Sequence, residues 1–165
     1  MATTVLVEGP SDAIAVGCVA ARARHPAGVE VVAIGGAQAA RREVAKRGVT
    51  GVLALCDAAE ARWFLAALPA DRVFVCHADL EDELIRAVGA GGVIELLEEH
   101  GDLRAFRTLQ HQTAWSGRAL EAQLRRWMGS GARRKVRYAE LLTEAAVAVG
   151  RVPAPLAGVV AAAGR

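Results

Sequence analysis

Four short aliphatic runs bounded by Gly, Pro or Asp constrain this chain more than any other feature. They are residues 3–7 (TTVLV), 29–34 (VEVVAI), 51–56 (GVLALC) and 72–76 (RVFVC). Runs this short, apolar on both faces and rich in Val, Leu and Ile, suit strands buried on both sides, as in parallel sheets. Between them Ser11 to about Arg24, Ala37 to Arg47 and Ala58 to Leu68 place apolar residues at helical spacing. This alternation calls for βαβ units with right-handed crossovers: an α/β fold with a four-stranded, mainly parallel sheet flanked by helices. Hydrophobic residues make up 53% of the chain and aromatics 4%, so the core must be largely aliphatic.

From Asp79 onward the pattern becomes helical and stays so, through DLEDELIRAV, GVIELLEEH, LRAFRTLQ, ALEAQLRRWM and YAELLTEAAVAV. Gly-rich breaks at 89–92 and 129–131 separate these segments. A chain of 165 residues is one domain's worth. The expected organisation is an α/β core over 1–88, with a helical C-terminal extension over 89–165 packed on it as one compact body. The opening MATTVLVEGPSD lacks the basic and apolar regions of a signal peptide. No apolar run approaches the ~20 residues of a membrane span. Cys18, Cys56 and Cys76 are odd in number and far apart, which suits buried thiols rather than disulfides or a zinc knuckle. A cytoplasmic protein with no membrane partner is expected.

In open parallel sheets ligands bind beyond the carboxyl ends of the strands. The first run ends in Glu8, followed by Gly9-Pro10-Ser11-Asp12; the third ends in Asp57; the fourth leads through His77-Ala78 to Asp79 and Glu81. The second ends in Gly35-Gly36, which leaves room for a phosphate backbone. Carboxylates gathered at one edge repel one another unless a cation lies among them, and all-oxygen donors select hard ions such as Mg²⁺ or Mn²⁺. Taken singly, each acid also suits a plainer role. Ser11 and Asp12 fit a helix cap, Asp57 a turn, and Asp79, Glu81 and Asp82 a first helical turn. Their coincidence at one edge is what favours a metal site. His77 carries no chemistry in this reading.

The run Val7-Glu8-Gly9-Pro10-Ser11-Asp12 resembles the first motif of Toprim domains, and Asp57 falls where their second motif begins. The acid run Asp79-Leu80-Glu81-Asp82 and Lys135 within ARRKVRYAELL are most similar to the Toprim part of overcoming-lysogenization-defect (OLD) nucleases. The resemblance covers about residues 1–150 and implies a Rossmann-like Toprim core. It further implies that Glu8, Asp12, Asp57, Asp79 and Glu81 hold one or two Mg²⁺ or Mn²⁺ ions, with Glu8 and Lys135 catalytic. Lys135 would stabilise charge on the scissile phosphate. The second Toprim motif usually has two acids one residue apart, but here Asp57 is followed by Ala58-Ala59, with Glu60 one place late. OLD nucleases carry an ATPase domain before their Toprim part, so a chain starting near its first strand is expected to act alone or with an ATPase in trans.

Charge is unevenly spread. Residues 104–137 hold nine Arg or Lys and one acid, a net +8, against +2 for the whole chain and so −6 for the remainder. The cluster Arg133, Arg134, Lys135 and Arg137 follows a Gly-Ser-Gly break and is expected to bind nucleic acid, DNA before RNA. Trp115 and Trp127 are read as core tryptophans. Three functions follow: a metal-dependent DNA nuclease; a catalytically degenerate Toprim module that binds nucleic acid or a partner ATPase; and an ordinary nucleotide-binding domain. The third lacks a P-loop or GxGxxG, and its strand ends are acidic where an anionic ligand wants the opposite.

Overall fold

The computed structural model describes residues 3–23 and 28–165, so Met1, Ala2 and the expected helix end at Arg24 lie outside the described residues. The aliphatic runs form strands β1 (Thr3–Val7), β2 (Val29–Ala33), β3 (Val52–Cys56) and β4 (Val73–Val75). The intervening and following segments form helices α1 (Pro10–Arg22), α2 (Ala40–Arg47), α3 (Ala61–Leu65), α4 (Leu80–Val88), α5 (Ala90–Glu99), α6 (Leu103–Gln110), α7 (Leu120–Gly129), α8 (Ala132–Ala148) and α9 (Ala154–Ala163).

The strands lie in the order β2-β1-β3-β4 and every pairing is parallel. This is the Toprim-like α/β architecture, a parallel sheet flanked by helices with a helical C-terminal part. Val7 pairs with Ala33, Leu6 with Ala54, and Cys56 with Val75. The chain adds β2 on one side of β1 and β3 on the other. The direction of winding therefore reverses between β1 and β3, and a crevice opens beyond their carboxyl ends. That register brings Glu8 and Asp57 to neighbouring strand ends.

Alternation along each strand divides the sheet between two cores. Val5, Val7, Leu53 and Leu55 face a layer that includes α1 and α9, with α8 packed across α1 and α4. Leu6, Val52, Ala54 and Cys56 face the opposite layer with Val44 of α2 and Phe64 of α3. Contact is close where α9 crosses β4: a Cβ on Gly158 would stand 2.9 Å from the Phe74 ring. In the helical part Trp127 is 2% exposed and meets Phe106 and Tyr138 edge-on, with ring centres 6.1 and 5.3 Å apart. Cys56 and Cys76 are buried, Cys18 is half-buried, and all three are free thiols.

Three elements differ from the sequence reading. The stretch 58–68 is a 3-10 turn at 58–60 followed by a short helix, α3. The expected break at 89–92 narrows to Gly89, because Gly91 and Gly92 belong to the first turn of α5. The last helix, α9, is apolar on nearly every side, so it has no amphipathic period to mark it. Among the described residues no helix is long and apolar enough to cross a membrane.

Candidate metal centre and its cleft

The carboxyl edge of the sheet gathers the acids through local structure. Glu8 follows β1, and its carbonyl accepts the amides of Gly35 and Gly36 at 3.1 and 3.3 Å. Those glycines have φ of 72° and 116°, which side chains rarely adopt, so the chain leaving β2 folds over the end of β1. Asp12 lies in the first turn of α1 and its Oδ2 accepts the Gly9 amide at 3.0 Å. Asp57 follows β3 and its Oδ1 accepts the Leu80 amide at 3.2 Å, tying the end of β3 to the start of α4. Asp79 is the N-cap of α4, its Oδ1 accepting the Asp82 amide at 2.8 Å. Helix capping and clustering therefore hold together for Asp12 and Asp79. Glu83, which the sequence reading left aside, is structural: its Oε1 accepts the His77 amide at 2.8 Å and steadies the strand exit.

Glu81 and Lys135 complete the cluster. Glu81 is 8% exposed, and its Oε1 has no hydrogen-bond partner although it is buried. Lys135, in the first turn of α8, brings its Nζ to 3.4 Å from that oxygen, an ion-pair contact without a directed hydrogen bond. A buried carboxylate oxygen without a well-directed hydrogen bond is costly, and the Lys135 charge offsets part of that cost.

The acids sense one another. Burial first, then Asp12, Asp79 and Glu81, push the Asp57 carboxyl up to about 7, with Lys135 opposing. Burial also raises Asp12 to about 6; the Gly9 amide and Lys135 pull it down while Glu81 and Glu8 push it up. Burial works against the charge on Lys135, yet Glu81, Asp12 and Asp57 together leave its ammonium above its usual range. At neutral pH the lysine is therefore charged while Asp57 stands near half-protonation. Burial and the nearby Asp57 and Glu8 raise the Cys56 thiol to about 12, so it takes no part as a thiolate.

The basic run divides between several partners. Successive helical residues turn by about 100°, so Arg133, Arg134 and Lys135 point different ways, while Arg137 returns to the side of Arg133. Arg134 lies 4.0 Å over the Trp127 ring and donates to the Trp127 carbonyl at 2.9 Å. Arg137 donates to Asp102 at 2.9 Å, beside Tyr138, whose hydroxyl donates to the same carboxylate at 2.8 Å. Arg133 is exposed. Of the four, only Lys135 reaches the acids.

Further cations lie beside the acids. A cleft of about 440 Å³ is lined by Asp79, Glu81 and Lys135 on one side and by Trp115, Arg118, Arg125 and Arg126 on the other. Arg125 crosses it, donating from Nε to Asp79 Oδ2 at 2.7 Å. The spacing Ala122-Arg125-Arg126-Gly129 sets two arginines and two small residues on one face of α7, the one sequence signal for this wall. Trp127 is core, as expected from sequence, whereas Trp115 is half-buried and lines the cleft.

The donors suit a hard divalent ion in kind: all are oxygen, they repel one another, and the buried Glu81 Oε1 accepts no hydrogen bond. Among the described residues, however, no three His, Cys, Asp or Glu side chains are arranged to hold one ion together. Seating an ion would require carboxylates to turn towards a common centre.

No family model matches this chain, and no curated protein sequence matches it. By architecture it is an OLD-like α/β domain. Among solved structures it is similar to the C-terminal region of the Burkholderia pseudomallei OLD protein, with a TM-score of 0.63. The likeness covers 98% of this chain and 96% of that one at 18% identity, and is therefore a likeness of fold.

Proposed function

We propose that this chain is a Toprim-type nuclease domain that hydrolyses DNA phosphodiester bonds with Mg²⁺ or Mn²⁺. The observation that carries the reading is the gathering of Glu8, Asp12, Asp57, Asp79 and Glu81 beside a charged Lys135, which meets the buried Glu81 Oε1 at 3.4 Å. Glu8, Asp12, Asp57, Asp79 and Glu81 are the residues that would hold one or two ions. A bound ion would neutralise phosphate charge and activate water for attack at phosphorus. Lys135 supplies a fixed positive charge for the phosphate oxygens. Arg118, Arg125 and Arg126 hold the neighbouring phosphates, and Arg125 exchanges Asp79 for a phosphate as DNA enters.

Supercoiled plasmid incubated with Mg²⁺, then Mn²⁺, should be nicked by the wild type and not by Glu8→Ala. Outer-shell changes at metal sites typically cost about 10- to 100-fold, and loss of a ligand should cost more. Equal nicking by both proteins would sink the assignment of Glu8.

A second reading rests on Ala59, exposed where Toprim domains usually have their second acid. In it the module binds DNA or a partner ATPase without cutting. Plasmid retained on the protein but never nicked with either metal would favour it. Rescue of nicking by Ala59→Asp would then identify the missing donor.

A further inference from the structure

The occupant of the cleft can be specified further, on the reading that it holds nucleic acid. Trp115 sits in the loop between α6 and α7, and that loop is firmly held. Its carbonyl accepts from Gln123 Nε2 at 2.7 Å, and its amide donates to the Gln112 carbonyl at 2.8 Å. Gln123 is itself 5% exposed and takes a second bond from the half-buried Gln110 at 2.7 Å, so this amide pair fixes the indole's backbone.

The ring is half-buried beside the core and forms part of the cleft wall. Arg118 and Arg126 bring guanidinium carbons to 6.0 and 5.9 Å from its centre. Among the described residues neither arginine pairs with a carboxylate, unlike Arg125 with Asp79. Two cations crowded on one aromatic ring without a counter-charge form a site short of an anion.

We propose that the cleft takes an unpaired DNA strand, with one base stacked on Trp115 and the flanking phosphates on Arg118, Arg125 and Arg126. Phosphates alone would explain the arginines, but the part of the indole left in the cleft wall is a surface that suits a flat apolar partner. In duplex DNA the base faces are covered by their neighbours, so only an unstacked base can supply one. The strand then runs from Trp115 across the cleft to Lys135 and the acids, which places the cut in or beside single-stranded DNA.

The test measures binding of a fluorescein-labelled thymidine oligonucleotide and of a duplex of equal length, in EDTA so that neither is cut. The wild type should prefer the single strand. Trp115→Ala should weaken single-strand binding by about 5- to 150-fold, the range that corresponds to one base–aromatic stack, and leave duplex binding unchanged. Trp115→Phe should keep most of the affinity while losing the quench of indole fluorescence seen on binding to the wild type. Duplex binding acts as the folding control. Equal losses on both DNAs, no loss on either, or a wild type that prefers duplex would overturn the proposal. The nuclease reading fails separately. If plasmid is never nicked but Trp115→Ala still loses single-strand affinity, this inference stands without it. If Glu8→Ala abolishes nicking while Trp115→Ala is neutral, the reverse holds.

Discussion

At the residue scale the acids could be read from sequence because each follows its strand by a few positions. Glu8 and Asp57 end β1 and β3, and Asp79 caps the helix that follows β4. The cations could not be read in the same way. Arg125 meets Asp79 across 46 residues of chain, a pairing no local pattern encodes. Within the run at 133–137, Arg134 turns to Trp127 and Lys135 to the acids, while Arg133 and Arg137 share another side of the helix. The same residues give a prediction with a definite sign. Asp57 is raised to about 7 by burial and by neighbouring acids, so its charged form destabilises the folded, metal-free protein above that pH. Asp57→Asn keeps an oxygen to accept the Leu80 amide and removes the charge. It should stabilise the metal-free protein by about 1–2 kcal/mol at pH 8, measured by urea unfolding in EDTA, while abolishing nicking. Lower stability than the wild type under those conditions would show that Asp57 is held by contacts and not opposed by repulsion.

At the scale of elements, α8 shows how one helix serves three separate ends. Tyr138, Ala139, Leu142 and Ala146 face the core, Arg134 covers Trp127, and Lys135 points into the cleft. Strands and most helices were legible because their periods are set by burial on one or both faces. The exceptions have physical causes. α9 is apolar all round in sequence although it buries one face, so its composition shows no period, and α3 is cut short as the amides of Ala67 and Leu68 both turn to the Phe64 carbonyl. The division of labour on α8 separates two adjacent substitutions. Arg134→Ala removes a cation–π contact and a hydrogen bond to the Trp127 carbonyl, and should cost about 1–2 kcal/mol of stability with nicking largely kept. Lys135→Met leaves buried Glu81 without its counter-charge, so it should cost at least about 1 kcal/mol of stability and also reduce nicking by about 100-fold or more. Thermal melts alongside plasmid assays distinguish them. Similar losses of both properties in the two variants would mean that α8 acts only as scaffold.

At the scale of the whole molecule, the winding reversal between β1 and β3 concentrates the negative charge while the later helices carry the positive charge around to face it. Arg118, Arg125, Arg126 and Lys135 of the +8 segment thus share one cleft with Asp79 and Glu81 of the acidic remainder. Such an arrangement links folding to both protons and metal. Asp12 and Asp57 have folded-state values of about 6 and 7, above the ordinary carboxylate value of 3.8. A raised carboxyl contributes stability that is complete below its unfolded value and is lost as pH climbs through its folded value. The metal-free protein should therefore lose stability from about pH 4 to pH 7 through these two groups. A divalent ion needs the carboxylates ionised, so its effect must have the opposite slope: little stabilisation at pH 5 and substantial stabilisation at pH 8. A ligand at 100 times its Kd adds about 2.7 kcal/mol, enough for a clear rise in Tm. Melting in EDTA and in Mg²⁺ at both pH values measures this directly, and Asp57→Asn should flatten both slopes. A Mg²⁺ shift equal at pH 5 and pH 8, or absent at both, would mean that the acids repel one another without serving a metal. The cleft would then function through its arginines and Trp115 alone.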